Sequence, residues 1–332
     1  MTLPDVTFEG IESAAERIAG HAVLTGFIRH PALDSATGAK VLLKPEILQR
    51  VGAFKFRGAF NRISQVDRKR FPGGVVACSS GNHAQGVAHA AQLLGLDSVI
   101  VMPSDAPRMK IARTRAFGAE VVLYDRERED REAIAQAIGA ERRADFVHPF
   151  DDAQVIAGQG TVGLEIASQA LAAGEKLDMV VVPCSGGGLA SGVALAVHHY
   201  FPAAEIVIVE PEGFDDFGRS LASGQRESNG RASGSIADAL MAAAPGVLPF
   251  AIGQRHFGGA VRVSDSEIAA AMRFAFMELK LVVEPGGAAA LAALLAQRVP
   301  VAGKVVSVIL SGGNVDAATF SRLIGSPGDV GG

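Results

Sequence analysis

Short, continuously apolar segments alternate with helical segments along most of the chain, and this alternation limits the possible folds more than any other feature. The apolar segments cover residues 41–43, 75–77, 98–102, 120–124, 179–183, 205–210 and 305–310. The clearest helical patterns cover residues 83–94, 107–117, 129–140, 153–172 and 188–200. Apolar strands separated by helices are typical of buried parallel sheets with right-handed crossovers. The sequence therefore predicts an α/β fold, in which ligands bind at the carboxyl ends of the strands.

Composition narrows the class of protein. The 332 residues are 48% hydrophobic and 20% charged, which suits one large or two medium α/β domains. The net charge of −4, without a basic stripe, argues against binding to nucleic acid or to a membrane surface. Cys78 and Cys184 lie far apart, so we expect neither a disulfide framework nor a structural zinc site. The sequence shows no signal peptide and no apolar run of membrane-spanning length, so we expect a cytoplasmic protein.

One lysine has unusual surroundings. In VGAFKFRGAF, residues 51–60, Lys55 lies between two phenylalanines in a run without an acidic residue. A lysine whose stem covers apolar surface while its ammonium reaches water would explain an isolated FKF. A lysine in a dry pocket instead has a lowered pKa and can act as an amine nucleophile or form a Schiff base. The segment alone leaves both interpretations open.

Two loops follow candidate strands and open candidate helices. CSSGNHAQG, residues 78–86, suits either a carboxylate-binding site or an ordinary helix N-cap by Ser79 or Ser80. PCSGGGLASG, residues 183–192, has three successive glycines, whose N–H groups can approach a phosphate closely. It lacks the lysine of a P-loop and the G-x-G-x-x-G of a dinucleotide site. The second loop therefore favours phosphate binding.

Two further loops carry weaker signals. ILSGGNVD, residues 309–316, follows the last candidate strand, where Ser311 can make one hydrogen bond or simply belong to a turn. VEPEGFDD, residues 209–216, clusters Glu210, Asp215 and Asp216. Such a cluster supplies hard oxygen ligands for a divalent cation, or it forms a solvated acidic loop. Neither loop is specific by itself.

A lysine in apolar surroundings, a neutral phosphate site and a carboxylate site together fit a cofactor that has a phosphate and an aldehyde. Pyridoxal phosphate has both groups and forms a Schiff base with lysine. The segments FKFRGA, SSGNHAQG, SGGGLASG and SGGN also occur in the order found in the tryptophan-synthase-β-like (fold type II) family. From about residue 11 to residue 320 the chain resembles the branch of serine/threonine dehydratases, serine racemases and 3-hydroxyaspartate dehydratases.

The resemblance implies a role for each matching residue. Lys55 would carry the cofactor with Phe54 packed beside it, Asn82 would bind the phenolic oxygen, and Ser311 would face the pyridine nitrogen. The phosphate would be held by Ser185, Gly186, Gly187, Gly188 and Leu189. The substrate carboxylate would be held by Ser79, Ser80, Asn82 and His83. Glu210, Asp216 and the carbonyl of Phe214 would bind a divalent cation, which is Mg²⁺, Mn²⁺ or Ca²⁺.

The resemblance also implies the architecture and the reaction. Two α/β domains, each a parallel sheet between helical layers, would hold the cofactor in the cleft between them, and the enzyme would be a homodimer. Residues 1–69 and 151–325 would form the large domain, and residues 70–150 a small mobile domain. Lys55 would remove the Cα proton of a β-hydroxy amino acid, and the hydroxyl would leave as water. Hydrolysis would then release a 2-oxo acid and ammonia.

The substrate is open between alternatives. GAFKFRGA, YDRERED (residues 124–130) and HPFDD (residues 148–152) resemble 3-hydroxyaspartate dehydratases and microbial serine racemases. We therefore favour 3-hydroxyaspartate over serine and threonine, with Arg131 as the candidate partner of the second carboxylate. Racemisation, with Lys55 and Ser80 as bases on opposite faces, is the alternative. A sulfhydrylase-like synthase is disfavoured because those enzymes usually place a threonine after the asparagine, and a non-catalytic nucleotide-binding module would give Lys55 no role.

Overall fold

The computed structural model describes residues 5–79 and 81–325. The strands in this part of the chain are β1 (Lys40–Pro45), β2 (Val75–Cys78), β3 (Ser98–Pro103), β4 (Glu120–Tyr124), β5 (Asp145–Phe146), β6 (Met179–Pro183), β7 (Glu205–Pro211), β8 (Gly259–Val263) and β9 (Val305–Leu310). The α-helices there are α1 (Phe8–Ile18), α2 (Pro31–Thr37), α3 (Lys55–Ile63), α4 (Asn82–Leu94), α5 (Arg108–Ala116), α6 (Arg131–Arg142), α7 (Ala153–Ala172), α8 (Gly188–Tyr200), α9 (Asp216–Ser223), α10 (Val247–His256), α11 (Asp265–Met277), α12 (Pro285–Leu295) and α13 (Ala317–Gly325). Short 3₁₀ helices cover Glu46–Leu48, Arg50–Gly52 and Asp238–Leu240. None of these described helices has both the length and the apolar character needed to cross a membrane.

The strands form two parallel sheets. The five-stranded sheet has the order β1-β9-β6-β7-β8, and the four-stranded sheet has the order β4-β3-β2-β5. Every pairing within the two sheets is parallel. The predicted α/β fold with parallel sheets is confirmed.

Helices cover both faces of each sheet. In β6, Met179 and Val181 pack in a core with α11 and α12, whereas Val180 and Val182 pack in a second core with α7 and α8. The four-stranded sheet has the same construction, because alternate residues of β2 face α4 on one side and α6 on the other. Strands buried on both faces are apolar at successive positions, and this is why the sequence marks them so clearly.

Most element boundaries agree with the sequence pattern. Helices α7 and α8 begin and end where the pattern predicts. Helix α6 begins two residues later than predicted, at Arg131, because the Asp130 carboxylate accepts hydrogen bonds from the N–H groups of Glu132 and Ala133 and so ends the preceding loop. Strands β5 and β8 are missing from the predicted set. The first has only two residues, and the second lies at a sheet edge with alternating burial and an arginine in its middle.

Candidate active site

A single pocket collects the loops that follow β2, β6 and β9. The loop after β2 contributes Ser79 and Gly81, the loop after β6 contributes residues 184–187, and Ser311 follows β9. The pocket is also lined by the other described residues that the resemblance assigns to the cofactor and the substrate carboxylate, which are Phe54, Lys55, Asn82, His83, Gly188 and Leu189. Ser80, predicted as a catalytic base and carboxylate ligand, lies outside the described residues.

Lys55 is the first residue of helix α3, and its amine is held inside the pocket. Nζ donates a hydrogen bond to the backbone oxygen of Pro149 at 2.7 Å and lies 5.1 Å from the ring centroid of Phe54. Burial lowers the pKa of Lys55 to about 8. The hydrogen bond and the lowered pKa favour the interpretation of Lys55 as a lysine held in a pocket over one whose ammonium reaches bulk water.

Packing requires the glycines of the second loop. A Cβ atom on Gly186 would lie 2.4 Å from the ring of Phe150, and one on Gly187 would lie 2.3 Å from the ring of Phe217. Gly187 also has φ +92°, a backbone angle that residues other than glycine rarely adopt, and it is the N-cap of α8. The first N–H groups of a helix have no partner within the helix. The backbone N–H groups at the start of α8 are therefore suited to a phosphate, as the glycines indicated.

The last loop joins the lysine segment to the end of β9. The backbone oxygen of Ser311 accepts a hydrogen bond from the N–H of Phe54 at 3.1 Å, and Ala53 pairs with Gly312 in an isolated β-bridge. Ser311 is almost fully buried and lines the pocket. The pairing places Ser311, Phe54 and Lys55 on neighbouring parts of the pocket wall, although they are far apart in the sequence.

Helix α4 begins with two of the predicted carboxylate ligands, Asn82 and His83. Its N-cap is Gly81 and makes no side-chain cap, while the Ser79 hydroxyl accepts a hydrogen bond from the N–H of Gly81 at 3.2 Å. The interpretation of Ser79 as an ordinary N-cap is therefore wrong. Asn82 is fixed at both ends of its amide, because Nδ2 donates to Oε1 of Glu284 and Oδ1 accepts from Nδ2 of Asn314 at 2.8 Å.

His83 is neutral. Its Nε2 lies 3.0 Å from the backbone oxygen of Val147, which can only accept, so Nε2 carries the hydrogen. Burial, with a smaller effect from Lys55, lowers the pKa of His83 to about 3. The remaining ring nitrogen, Nδ1, is buried and has only a lone pair to offer, so it cannot bind a carboxylate. His83 can therefore serve a substrate carboxylate only through its backbone N–H.

The predicted cation ligands lie outside this pocket. Glu210 on β7 is fully buried and accepts hydrogen bonds from the N–H groups of Phe217 at 2.9 Å and Gly218 at 2.8 Å. Asp216 is also fully buried; its Oδ1 accepts from Asn229, and its Oδ2 has no partner among the described residues. Burial raises the pKa of Glu210 to about 8, with a further contribution from Asp216. Burial likewise raises the pKa of Asp216 to about 6.

Both carboxylates are thus buried with raised pKa values, and one oxygen of Asp216 has no hydrogen-bond partner among the described residues. Within residues 5–79 and 81–325, no group of three or more His, Cys, Asp and Glu side chains is arranged to hold a metal ion. A cation here would therefore need backbone oxygens or water as further ligands, as expected for Mg²⁺ or Ca²⁺. The buried Phe214 lies in the loop between the two carboxylates.

Sequence reasoning missed several residues of the pocket. Lys110 on α5 donates to Oδ2 of Asp238 at 2.7 Å, and both side chains line the pocket. Glu284, the N-cap of α12, is only 2% exposed and also lines it. Phe150, in the HPFDD segment, lines the pocket as well. The Glu-Pro start of α12 carries no local signal, because it is an ordinary way to begin a helix.

The model of the pyridoxal-phosphate dependent enzyme family matches residues 18–312. The chain belongs to this family. L-threo-3-hydroxyaspartate ammonia-lyase of Pseudomonas sp is 41% identical over 318 residues, which is 96% of this chain and 98% of that protein. L-threonine ammonia-lyase of Thermotoga maritima is 39% identical over 321 residues, which is 96% of this chain and 78% of that protein.

The solved structure of maize serine racemase gives a TM-score of 0.90 at 36% identity and covers 96% of each chain. The predicted family, its dehydratase and racemase branch and the fold type II architecture are thus confirmed. The chain is an enzyme that uses pyridoxal phosphate, and its relatives identify it as an ammonia-lyase.

Proposed function

We propose that the enzyme removes water from 3-hydroxyaspartate and releases a 2-oxo acid and ammonia, with serine and threonine as poorer substrates. Similarity to an L-threo-3-hydroxyaspartate ammonia-lyase supports this proposal, although a threonine ammonia-lyase is nearly as similar. A substrate with a second carboxylate requires a cationic partner in the pocket. The basic side chains of the pocket are therefore the observation on which the choice of 3-hydroxyaspartate is based.

Arg131 is the residue that supports 3-hydroxyaspartate as the substrate. Besides the neutral His83, three basic side chains line the pocket, and two of them are engaged: Lys55 with the oxygen of Pro149, and Lys110 with Asp238. Arg131, the first residue of α6, makes no hydrogen bond or ion pair with any described residue. A guanidinium presents two parallel N–H donors that match a carboxylate. Arg131 is therefore suited to the second carboxylate of 3-hydroxyaspartate.

The other residues have the following proposed roles. Bound pyridoxal phosphate supplies the electron sink for the reaction. The N–H groups of residues 186–189, together with Ser185, hold its phosphate. The Ser311 hydroxyl faces its pyridine nitrogen, and Phe54 packs beside it. Ser79, Asn82 and the backbone of His83 orient the substrate carboxylate, and Ser80 is proposed for the same role. The Lys55 amine takes up the Cα proton, because a pKa of about 8 gives it a larger neutral fraction near neutral pH than an exposed lysine has.

Steady-state kinetics with the isomers of 3-hydroxyaspartate, L-serine and L-threonine test the substrate. Arg131→Gln is expected to lower kcat/KM for hydroxyaspartate by about 10- to 100-fold, since charge-assisted hydrogen bonds contribute roughly 1.5–3 kcal/mol. Its effect on threonine should be far smaller, because threonine has no second carboxylate. The control is Arg128→Gln, which changes an exposed arginine of the preceding loop.

Two results would contradict the proposed substrate. One is a wild-type kcat/KM for threonine that exceeds the value for every hydroxyaspartate isomer. The other is an Arg131→Gln variant that loses activity equally toward threonine and hydroxyaspartate, because the arginine would then serve no second carboxylate.

Amino-acid racemisation is the second candidate function, and the similarity to maize serine racemase favours it. It would use Lys55 and Ser80 as bases on opposite faces of the substrate. Chiral analysis of reactions started with L-serine distinguishes the two functions. D-serine formed faster than 2-oxo acid would favour the racemase.

We further propose a divalent cation, Mg²⁺, Mn²⁺ or Ca²⁺, bound by Glu210, Asp216 and the Phe214 carbonyl. The raised pKa values of the two buried carboxylates, caused by burial and in Glu210 also by Asp216, support it. We also propose that residues 70–150, which include β2 to β5, form a small domain that moves over the substrate, while residues 1–69 and 151–325 form the large domain. The homodimer and the cytoplasmic location stay predictions.

A further inference from the structure

Glu284 is a buried carboxylate in the pocket that none of the roles above uses. It is the N-cap of α12, yet its side chain makes no capping hydrogen bond with that helix. Oε1 instead accepts a hydrogen bond from Nδ2 of Asn82, across 202 positions of sequence. Oε2 is buried and has no hydrogen-bond partner in the described part of the chain. A buried carboxylate with one free oxygen is costly to maintain, so a functional explanation is warranted.

The surroundings of Glu284 hold its carboxylate in one place. Its N–H donates to the backbone oxygen of Gly312 at 3.1 Å. A Cβ atom on Gly312 would lie 2.2 Å from Oε1 of Glu284, so only glycine leaves room for the carboxylate beside Ser311. The carboxylate therefore occupies a space formed by the loops after β2 and β9.

Lys110 and Asp238 act on Glu284 through their charges, and Arg113 and Asp316 contact or act on its neighbours. Lys110 on α5 and Asp238 on the 3₁₀ helix form an ion pair with each other, and Arg113 on α5 donates to Oδ1 of Asn314 at 3.1 Å. Asp316 acts on Lys110 from the loop after β9. Burial is the largest effect and raises the pKa of Glu284 to about 7; Lys110 lowers it, and Asp238 raises it further. Glu284 is therefore expected to change its charge near neutral pH.

The amide of Asn82 is the group through which Glu284 acts. Its Oδ1 is occupied by Nδ2 of Asn314, and one hydrogen of its Nδ2 is directed to Glu284. The amide therefore cannot turn over without losing both hydrogen bonds, and one Nδ2 hydrogen remains for the pocket. In the proposed function, on which this step rests, that hydrogen is donated to the phenolic oxygen of the cofactor.

We propose that Glu284 is a positioning residue that fixes the Asn82 amide toward the phenolic oxygen of the cofactor, and that protonation of Glu284 weakens this hydrogen bond. An ionised carboxylate accepts a stronger hydrogen bond than a protonated one. Above the pKa of Glu284 the amide is held firmly and its second N–H is aimed at the cofactor; below it the hold is weaker. The visible absorption of the cofactor depends on the charge at its phenolic oxygen, so the spectrum reports the state of Glu284.

Absorption spectra of the holoenzyme, recorded across a pH range on both sides of 7, test the proposal. Wild-type enzyme is expected to show a change in band position or band ratio with a midpoint near pH 7. Glu284→Gln keeps an acceptor for Asn82 but cannot titrate, so this transition should disappear. Asp238→Asn should move the midpoint to lower pH, because it removes a negative charge that opposes ionisation of Glu284. Glu278→Gln, at an exposed glutamate after α11, is the control and should behave as wild type.

A Glu284→Gln holoenzyme that titrates with the wild-type midpoint would overturn the proposal. If Glu284→Gln does not fold, as judged by circular dichroism, the test is made with Asp238→Asn. A midpoint in Asp238→Asn that equals the wild-type midpoint would overturn the proposal. Failure of the proposed function looks different, since it would appear in the substrate kinetics described above, or as a visible band that is retained in Lys55→Ala. A visible band that is lost in Lys55→Ala but titrates unchanged in Glu284→Gln contradicts the role of Glu284 and leaves the proposed function standing.

Discussion

Lys55 combines a buried amine with a nearby backbone acceptor, and this combination determines how it reacts. The oxygen of Pro149 orients Nζ without neutralising it, whereas a carboxylate partner would have stabilised the charged form and raised the pKa. Burial has the opposite effect and lowers the pKa of Lys55 to about 8. The neutral amine, which is the nucleophile, is therefore available at lower pH than in an exposed lysine.

This pKa predicts the pH dependence of cofactor binding. When pyridoxal phosphate is added to apoenzyme, the rate at which the visible band develops should rise with pH with a midpoint near 8, because deprotonation of Lys55 supplies the reactive amine. Stopped-flow absorbance measures this rate, with a free lysine derivative as the reference. A midpoint near the ordinary lysine value of about 10.4 would show that the amine is not desolvated.

The residues of the site were predictable to the extent that each carries a local signal. Lys55 stands out among phenylalanines, and Gly186 to Gly188 stand out as a run before a helix. Glu284, Lys110 and Asp238 carry no such signal, because each has an ordinary place in its own helix. Only the packing of three separate elements brings them to one pocket wall, and local sequence patterns do not encode that packing.

Helix α3, which begins at Lys55, is anchored by a buried group of charged side chains. Arg57 is fully buried and donates to Oε2 of Glu46 at 2.8 Å and to Oε1 of Glu165 on α7 at 2.6 Å. Lys44 on β1 binds the other oxygen of Glu165 at 2.6 Å. Burial alone would raise the pKa of Glu46, yet its pairing with Arg57 holds that pKa below the ordinary value. Arg57, two residues after Lys55, thus fixes helix α3 to β1 and α7.

Breaking this group should destabilise the protein strongly. Glu46→Gln leaves Arg57 buried with one carboxylate fewer, so the free energy of unfolding should fall by about 3–5 kcal/mol. Urea unfolding measures this change. The control is Glu120→Gln, whose partner Arg142 is exposed, and here the loss should be far smaller because solvent screens the pair. A similar small loss in both variants would mean that the buried pairs do not hold α3.

At the scale of elements, burial determined what could be predicted. Strands buried on both faces, such as β3 and β6, are apolar throughout and were predicted almost to the residue. Strand β8 is half-exposed, and its GAVRV sequence contains a charge, so a search for continuous apolar runs passes over it. Its pairing with β7 is a tertiary property of the sheet edge.

At the scale of the whole molecule, the pocket is closed by contacts between α5 and segments far along the chain. Lys110 pairs with Asp238, and Arg113 donates to Asn314. If residues 70–150 move as a unit, opening would break these two contacts together with the hydrogen bonds that join Asn82 to Glu284 and Asn314. Lys110 and Asp238 both line the pocket, so their separation would expose the substrate to water.

Removal of the proposed cation should affect the whole molecule, because Glu210 and Asp216 connect β7 to the start of α9. Without a cation, the charge of Asp216 adds to burial in opposing the ionisation of Glu210, which is unfavourable. Treatment with EDTA should therefore lower activity and Tm together, and Mg²⁺, Mn²⁺ or Ca²⁺ should restore both. Asp216→Asn is the matched variant and should no longer respond to EDTA. Full activity and unchanged Tm in EDTA-treated wild type would show that these carboxylates bind no cation of importance.

The most direct measurement of the central claim compares wild-type and Lys55→Ala enzyme loaded with pyridoxal phosphate. We expect the wild type to show a visible band and to release 2-oxo acid and ammonia in equal amounts from L-threo-3-hydroxyaspartate. Lys55→Ala should bind the cofactor loosely through the loop after β6, without this band and without turnover. Lys110→Ala, which changes the other lysine of the pocket, should keep the band. Turnover retained in Lys55→Ala would contradict the assignment of Lys55 and, with it, the proposed mechanism.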